Sequence, residues 1–600
     1  MPVARICSLD SGYAQWIFPM STVKKPRVLV LDADMIPCLA VARSLWKKGC
    51  QVDVAGHTQA PITRYSRAVD RCFTYPNPLS DTDKYLDWFE QQTKSTQYDL
   101  AIPVTERTMS ALSSQRDRFS HVKIAMPEVE SLEQVIDKSK TMSLARQVGV
   151  PVPRGVELQS MEGLDELIDD LNFPVVLKPT RSIGAGGAGG SQLYVSYAFD
   201  RSELQAGCAH ALRFGSVLLQ EYFHGAGVGI ELIAKDGEIA YVFQHRRLHE
   251  VPLTGGGSSL RRSEPVNPEL LEASRRLVEV LHWNGVAMIE FKLDDVTGEF
   301  RLMEVNGRFW GSLPLALASG ADFPGMLLDM ELTGAVTSSP PYRESMYCRL
   351  LSRDLQWYEA VLRADALSPI VRVPPRLEII KELALCFSWK HRFDVQSWRD
   401  PVPGLVDVGR VLLNYRRRLA SLRSDRRFRA AQVKVWRSGA VEARLSQAHS
   451  MLFLCYGNIN RSALADLMLR PYAEDSGYTL ESAGFHHESD RQTDPVMADL
   501  ANERGLQAGA FRSSTVTPEM LARSDIIFVM EKRHYDQVMA MDSSAGERTF
   551  LLGAHSSVDD WGPEIDDPHG CSFDIYRECY ARLDAAVAAI KAMIAAQDQG

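Results

Sequence analysis

Residues 450–462, Ser-Met-Leu-Phe-Leu-Cys-Tyr-Gly-Asn-Ile-Asn-Arg-Ser, run from an apolar strand into a glycine-bearing turn that starts on Cys455 and closes on Arg461. The pattern is that of a phosphate-binding loop carrying its own nucleophile. Five residues between the cysteine and the arginine let one turn of backbone aim successive N–H groups at a single centre. A guanidinium at 461 closes over two phosphoryl oxygens as a bidentate donor. Ser462 and Ala463 open the next helix, whose amide dipoles favour negative charge at its start. Cys455 thus stands where a dianion is wanted, with its sulfur placed to attack one.

The loop resembles that of the low-molecular-weight protein tyrosine phosphatases, whose motif Cys-x-Gly-Asn-Ile-Cys-Arg-Ser also follows an apolar strand. Ser482-Ala483-Gly484, the strand Asp525-Ile526-Ile527-Phe528-Val529-Met530-Glu531 and the acidic loop Ile565-Asp566-Asp567-Pro568 resemble further segments of the family. The similarity covers residues 448–597 and implies a parallel-sheet α/β domain. By this resemblance Cys455 attacks phosphorus, Arg461 binds the phosphoryl oxygens, and Asp567 protonates the leaving oxygen before serving as base for the hydrolytic water. Asn458 and Ser462 are carried over as loop-shaping residues, Ser462 also donating a hydrogen bond to the sulfur. Two positions depart from the pattern: Asn460 replaces the second loop cysteine, so a vicinal disulfide with Cys455 cannot form, and His569 replaces the aromatic that follows the Asp-Pro pair. Ile459 stands where a threonine marks the arginine-phosphate branch, which keeps the reading on aryl phosphates.

Further upstream, Gly285–Lys292 and Phe300–Trp310 read as two strands of a hairpin turned at Asp294-Asp295-Val296-Thr297-Gly298. Alternation puts Glu304 and Asn306 on one face and predicts that Leu302 shares it. With Glu290 on the partner strand, two carboxylates and an amide form a hard-oxygen site of the kind Mg²⁺ prefers when nucleotide phosphates bridge it. Arg308 adds a cation two residues on.

This set resembles the ATP-grasp superfamily, in which a Glu…Glu-x-Asn-x-Arg pattern holds magnesium and the triphosphate. The resemblance spans about residues 25–335 and implies ATP and Mg²⁺ as cofactors. It carries Lys138 and Lys178 over as nucleotide lysines, and the run at 182–190, with Gly186 and Gly187, as a phosphate-covering loop. Gln220, Glu221 and Phe223 match the hinge that reads the adenine, and Glu231 the contact to the ribose. Arg246, Arg247, Arg261 and Arg262 fall where relatives bind the acyl substrate, and arginines suit a carboxylate or acyl phosphate. Residues 25–137 alternate short apolar strands with helical segments and resemble the Rossmann-like domain that precedes ATP-grasp lobes. No Gly-x-Gly-x-x-Gly follows the first strand, so no dinucleotide site is inferred.

The expected architecture is therefore α/β and multidomain: a Rossmann-like domain at 25–137, a two-lobed α+β ATP-grasp domain at 138–340, a helical basic linker at 341–447 and the phosphatase-like domain at 448–597. In the linker, Arg416 to Arg437 holds eight arginines and one lysine against Asp425 alone, with leucines and Phe428 interleaved. Such a run suits a solvated helix, and also one lying peripherally on an anionic membrane surface. A net charge of −9 gives no reason to expect nucleic acid. No stretch reaches the roughly twenty apolar residues that span a bilayer, and Met1 to Ser21 lacks the uninterrupted apolar core of a signal peptide. Ten scattered cysteines fit a reducing cytoplasm. The resulting expectation is a cytoplasmic bifunctional enzyme, a carboxylate–amine (or thiol) ligase joined to a phosphatase of a tyrosine-phosphorylated protein. Two alternatives are a ligase with a phosphoprotein-binding module, and a phosphatase acting on a small molecule of the ligase's own pathway.

Overall fold

The computed structural model describes residues 25–597 except 163, 169–170, 180–194, 213–214, 337–339, 364–369, 372, 556–561, 570 and 572. The chain divides between Val411 and Leu412 into two compact units.

The first unit contains three sheets. Arg71–Thr74, Gln51–Gly56, Arg27–Val30 and Leu100–Ile102 form, in that order, a parallel sheet. Val28, Leu29, Val30 and Leu31 are all fully buried, as an unbroken apolar run must be in a parallel strand covered on both faces. Asp32 ends this strand in a left-handed conformation, φ 62°. Its carboxylate accepts from the backbone of Val104 and Thr105 and from the Thr108 hydroxyl. A smaller antiparallel sheet follows, ordered Gly155–Leu158, Val217–Glu221, Val175–Pro179, Ser196–Ala198. The chain leaves it after Glu221 to enter the third sheet at Ala226.

That third sheet has seven strands: Phe300–Asn306, Gly285–Leu293, Ala226–Lys235, Glu238–Val251, Gly257–Glu264, Tyr347–Arg349 and His391–Phe393. Ala287, Ile289 and Phe291 bury one face against the helix Pro268–Val280, whose Leu270 and Leu277 share the same core. Asn267 caps this helix by accepting from Glu269 and Leu270 N–H, worth about 1 kcal/mol. The expectation for Leu302 is corrected here. Glu290 pairs with Glu304 but Phe291 pairs with Leu302, so Met303 is an extra residue in a β-bulge. The bulge reverses the alternation, and Leu302 lies in the apolar core with Phe291 rather than beside Glu304.

The expected linker at 341–447 is also corrected. Its first half belongs to the seven-stranded sheet, with Tyr347–Arg349 pairing with Gly257–Glu264 and His391–Phe393 pairing with Tyr347–Arg349. Buried polar contacts fasten it there. Arg261 reaches Asp394 at 2.7 Å, and His249 lies between Asp354 at 2.7 Å and Glu382 at 2.8 Å with its ring stacked on Trp357. Removing one partner of such a buried pair costs about 3–5 kcal/mol. The second half holds a long helix, Pro401–Arg437, and a short one, Ala440–Leu445.

The second unit is built on a parallel sheet ordered Thr479–Gly484, Ser450–Cys455, Ile526–Val529, Thr549–Leu551. Its second strand in that order, Ser450–Cys455, lies inside the sheet and buries Met451 through Cys455, so the turn that follows Cys455 emerges between neighbouring strands. Helices Arg461–Asp475 and Phe573–Gln597 pack against it. The end of Pro401–Arg437 joins this core: Trp436 Nε1 donates to Leu551 O at 2.8 Å, and Gln432 Oε1 accepts from Leu551 N–H at 2.9 Å. Arg429 and Asp425, from the basic stretch, pair with Glu564 and Lys532. No helix among the described residues is long and apolar enough to cross a membrane.

Candidate active sites

Across the hairpin of the first unit Glu290 faces Glu304 and Met288 faces Asn306. Asn306 Nδ2 donates to Glu290 Oε1 at 3.2 Å and to Glu304 Oε1 at 3.0 Å, an amide held between two carboxylates. Arg247 spans from the strand Glu238–Val251 to pair with Glu290, and also meets Glu250 at 3.3 Å. It can do so because the intervening strand carries Gly227: a Cβ there would lie 2.9 Å from Arg247 Cδ. Lys138 Nζ stands 3.9 Å from Glu304 Oε2. Burial, with Glu304 adding repulsion and Arg247 opposing, pushes Glu290 up to about 7. Glu304, although burial works the other way, is held down at about 2 by Lys138, Asn306 and Arg247. Lys178 is lowered to about 8 by burial and by the Lys138 ammonium, with Glu304 opposing. These charges act on one another and form a single polar centre.

A cavity of about 70 Å³ opens there, lined by Lys138, Thr141, Glu304, Asn306, Arg308 and Glu106. Glu106, at the start of the helix Glu106–Ser113, lies 3.4 Å from Arg308 Nε and was not read from the sequence. The acidic set is two carboxylates and an amide; among the described residues no group of three or more Asp, Glu, His or Cys side chains forms a metal cluster. Gln220 and Glu221 end the strand Val217–Glu221 and Phe223 follows it. Gln220 is 1% exposed with neither amide atom hydrogen-bonded among the described residues, Glu221 accepts from Asn172 Nδ2 at 2.9 Å, and Phe223 has Arg301 over its ring. Glu231, expected at a ribose, is fully enclosed among the described residues: its Oε1 lies 2.9 Å from His245 Nδ1 and accepts from Ser312 Oγ, and it is not in the lining of the cavity beside Glu304. Gly186 and Gly187 lie outside the described residues.

The four arginines expected to meet an acyl substrate are already engaged. Arg246 and Arg262 sit opposite each other and share Glu264, at 2.8 and 2.5 Å. Arg247 and Arg261 occupy the other face, on Glu290 and Asp394. A guanidinium missed by sequence reasoning is Arg353. It is half-buried against Gly257, beside the Arg261 cation, and has no carboxylate partner among the described residues.

In the second unit the turn after Ser450–Cys455 wraps the cysteine sulfur. Asn458 N–H donates to Cys455 Sγ at 3.2 Å and Ser462 Oγ donates to it at 3.0 Å. Asn458 adopts φ 52°, which asparagine tolerates better than most residues. Its side chain ties the turn together, giving a hydrogen bond to Ser462 Oγ and accepting one from Ser514 N–H. The loop rests on Gly484, where a Cβ would stand 2.6 Å from Tyr456 O and 2.8 Å from Asn458 N. Arg461 is fully buried; Nη1 donates to Glu531 and to Ile565 O, and Nη2 lies 2.6 Å from Asp567 Oδ2. The Arg-clamping role of Glu531 was not evident from sequence, although its strand was. A cavity of about 160 Å³ is lined by Cys455, Tyr456, Ile459, Asn460, His486, Arg491, Asp567 and His569. His569 is 65% exposed at its side chain and bonds Asp494 Oδ2 at 2.9 Å through Nδ1.

Residues 450–599 match the family described as low molecular weight phosphotyrosine protein phosphatase, and residues 213–353 match ATP-grasp in the biosynthetic pathway with Ter operon. The low molecular weight protein-tyrosine-phosphatase Etp of Escherichia coli K12 is 31% identical over 138 residues, 23% of this chain and 89% of that protein. The N-terminal section of the carbamoyl phosphate synthase large chain of Methanopyrus kandleri is 24% identical over 288 residues, 46% of this chain; the chain spans 49% of that relative's length. A solved L-amino acid ligase from Bacillus licheniformis is 18% identical, covering 52% of this chain and 74% of that one, with a TM-score of 0.40.

Proposed function

We propose that this chain, which belongs over residues 450–599 to the low molecular weight phosphotyrosine protein phosphatase family and carries an ATP-grasp ligase domain ahead of it, couples two specific reactions in one polypeptide. The first unit activates a carboxylate as its acyl phosphate for attack by an amine or thiol. The second hydrolyses phosphotyrosine on a protein.

The observation that carries the phosphatase half is the sulfur of Cys455 held by two donors in a cavity that Asp567 also lines, with the buried Arg461 2.6 Å from that Asp567 carboxylate. Arg461 aligns the phosphoryl oxygens. Cys455 Sγ forms a bond to phosphorus as the bond to the tyrosine oxygen breaks, and the Asp567 carboxyl gives that oxygen its proton. In the second half-reaction the Asp567 carboxylate takes a proton from water, whose oxygen attacks phosphorus; the S–P bond breaks and phosphate leaves. Ser462 and Asn458 N–H stabilise the sulfur anion that returns.

For the ligase, the hard-oxygen set Glu290, Glu304 and Asn306 fits Mg²⁺, and two partly buried carboxylates facing each other are a place where a cation is wanted. Held by these three residues, Mg²⁺ would supply positive charge to neutralise nucleotide phosphates during transfer of the terminal phosphoryl group to the carboxylate oxygen. Lys138 and Lys178 supply further positive charge, Gln220 and Glu221 read the base, and Arg308, tied to Glu106, faces the transferring group. Arg353, which has no carboxylate partner among the described residues, holds the acid substrate. The amine then forms its bond to the acyl carbon as the C–O bond to phosphate breaks, and the departing phosphate takes up the amine's proton.

The test is the intact chain with an aryl phosphate and, separately, with ATP and libraries of acids and amines. Cys455→Ser should abolish only the first activity and Glu304→Ala only the second. Binding of aryl phosphate without turnover by the unaltered chain would replace the phosphatase with a phosphoprotein-docking module. His569, a polar and exposed residue of the cavity lining tied to Asp494, favours as second reading a small phosphate monoester of the ligase's own pathway.

A further inference from the structure

Asn460 has no role in the chemistry above, yet its placement is unusual. It is 2% exposed, and neither its amide oxygen nor its amide nitrogen has a hydrogen-bond partner among the described residues. It lines the same cavity as Cys455 and Asp567. It also occupies the N-cap of the helix Arg461–Asp475, where an asparagine ordinarily turns back to accept from the free N–H groups of the first turn. Here it makes no such bond, and φ −122°, ψ −88° give it a backbone conformation unlike that of an ordinary cap.

A buried amide left unpaired carries a desolvation penalty that folded proteins seldom tolerate without a compensating ligand. By not capping, Asn460 leaves the helix-start N–H groups open to an anion and adds its own amide hydrogens to the same space. A phosphoryl group offers only acceptors, which is the complement of that amide nitrogen.

We propose that Asn460 is a phosphate-binding residue of this site: its Nδ2 donates to one non-bridging oxygen of the phosphoryl group. The inference rests on the phosphatase reading. The contact persists in the ester, in the cysteinyl phosphate and in released phosphate, because the non-bridging oxygens are common to all three. A thiol, which the family motif places here, is a weak donor and cannot replace it.

Orthovanadate and inorganic phosphate are the probes, with p-nitrophenyl phosphate as reporter, on the full chain carrying Asn460→Ala, Asn460→Leu or Asn460→Cys. Each variant should bind vanadate and phosphate about tenfold or more weakly, the order expected for one hydrogen bond to a charged acceptor, and kcat/KM should fall in step. The thermal midpoint of the second unit should hold or rise, since an unpaired buried amide has been removed. Inhibition constants within twofold of the unaltered chain in all three variants would overturn the assignment. So would a drop in midpoint with unchanged vanadate affinity, the signature of a purely structural residue. If the unaltered chain neither turns over the reporter nor binds vanadate, the phosphatase reading itself fails, and this inference falls with it.

Discussion

Replacing His534 with phenylalanine should remove a pH dependence of stability that the wild-type second unit carries. The imidazole is fully buried, neither ring nitrogen has a hydrogen-bond partner among the described residues although Nε2 lies 4.0 Å from Glu531 Oε1, and it stacks beside Phe485. Burial first, and then the Arg461 cation, lower its proton affinity to about 3, against the pull of Glu531. The unfolded chain binds a proton at this residue below about 6.5, whereas the folded chain does not until about 3. Stability is therefore flat above pH 6.5 and falls as pH drops below it. At pH 5 the unfolded chain's uptake amounts to about 1.5 pH units of linkage, or about 2 kcal/mol, while the folded residue is still neutral. For a unit of this size that corresponds to about 4–8 °C in midpoint. Calorimetry of the full chain at pH 7.5 and pH 5, for wild type and His534→Phe, reads the double difference, in which the carboxylates and His555 cancel. Phenylalanine keeps the stack on Phe485 and does not titrate, so the variant's second-unit midpoint should drop less. Indistinguishable shifts in the two proteins would refute the argument.

Gly484→Ala should drive the catalytic turn off its seat, because the added methyl meets Tyr456 O at 2.6 Å; aryl phosphatase activity should fall more than tenfold and stability by about 1–3 kcal/mol, read by turnover and denaturant titration. Asp567→Asn should slow hydrolysis of alkyl-like esters with poor leaving groups by about 10²–10⁴ and of p-nitrophenyl phosphate much less, which a leaving-group series would show. Arg353→Gln should raise the KM of the acid substrate about tenfold while leaving that of ATP unchanged, measured by ADP release; an unchanged KM would remove Arg353 from the acid site.

The phosphatase loop was legible because its chemistry is contiguous: strand, sulfur, turn and guanidinium fall within thirteen residues of sequence. Both domain resemblances are borne out by the family matches at 450–599 and 213–353, and the mixed α/β architecture follows from them. What the sequence hid has physical causes. A bulge at Met303 adds one residue to a strand of period two, which alternation alone cannot reveal. Tyr347–Arg349 and His391–Phe393 are three residues each, too short to display a period, so their membership of the sheet was lost in an apparent linker. Glu106 reaches the cavity beside Arg308 through tertiary folding, from a segment with no motif around it. Glu231 lies on the same strand face as Gly229, which is paired with Glu290, but His245 and Ser312 close over it, an outcome set by neighbours on other strands.

The way Trp436 and Gln432 grip Leu551 decides where the two catalytic halves can be cut apart. A protein beginning at residue 450, where likeness to free-standing phosphatases starts, would strip both main-chain groups of Leu551 of their partners and bare the outer edge of Thr549–Leu551. An unprotected edge is a template for sticking to other chains. Severing upstream of Asp425 would keep that guard in place, so the hydrolase should travel with the last turns of a helix that its relatives' alignment leaves out.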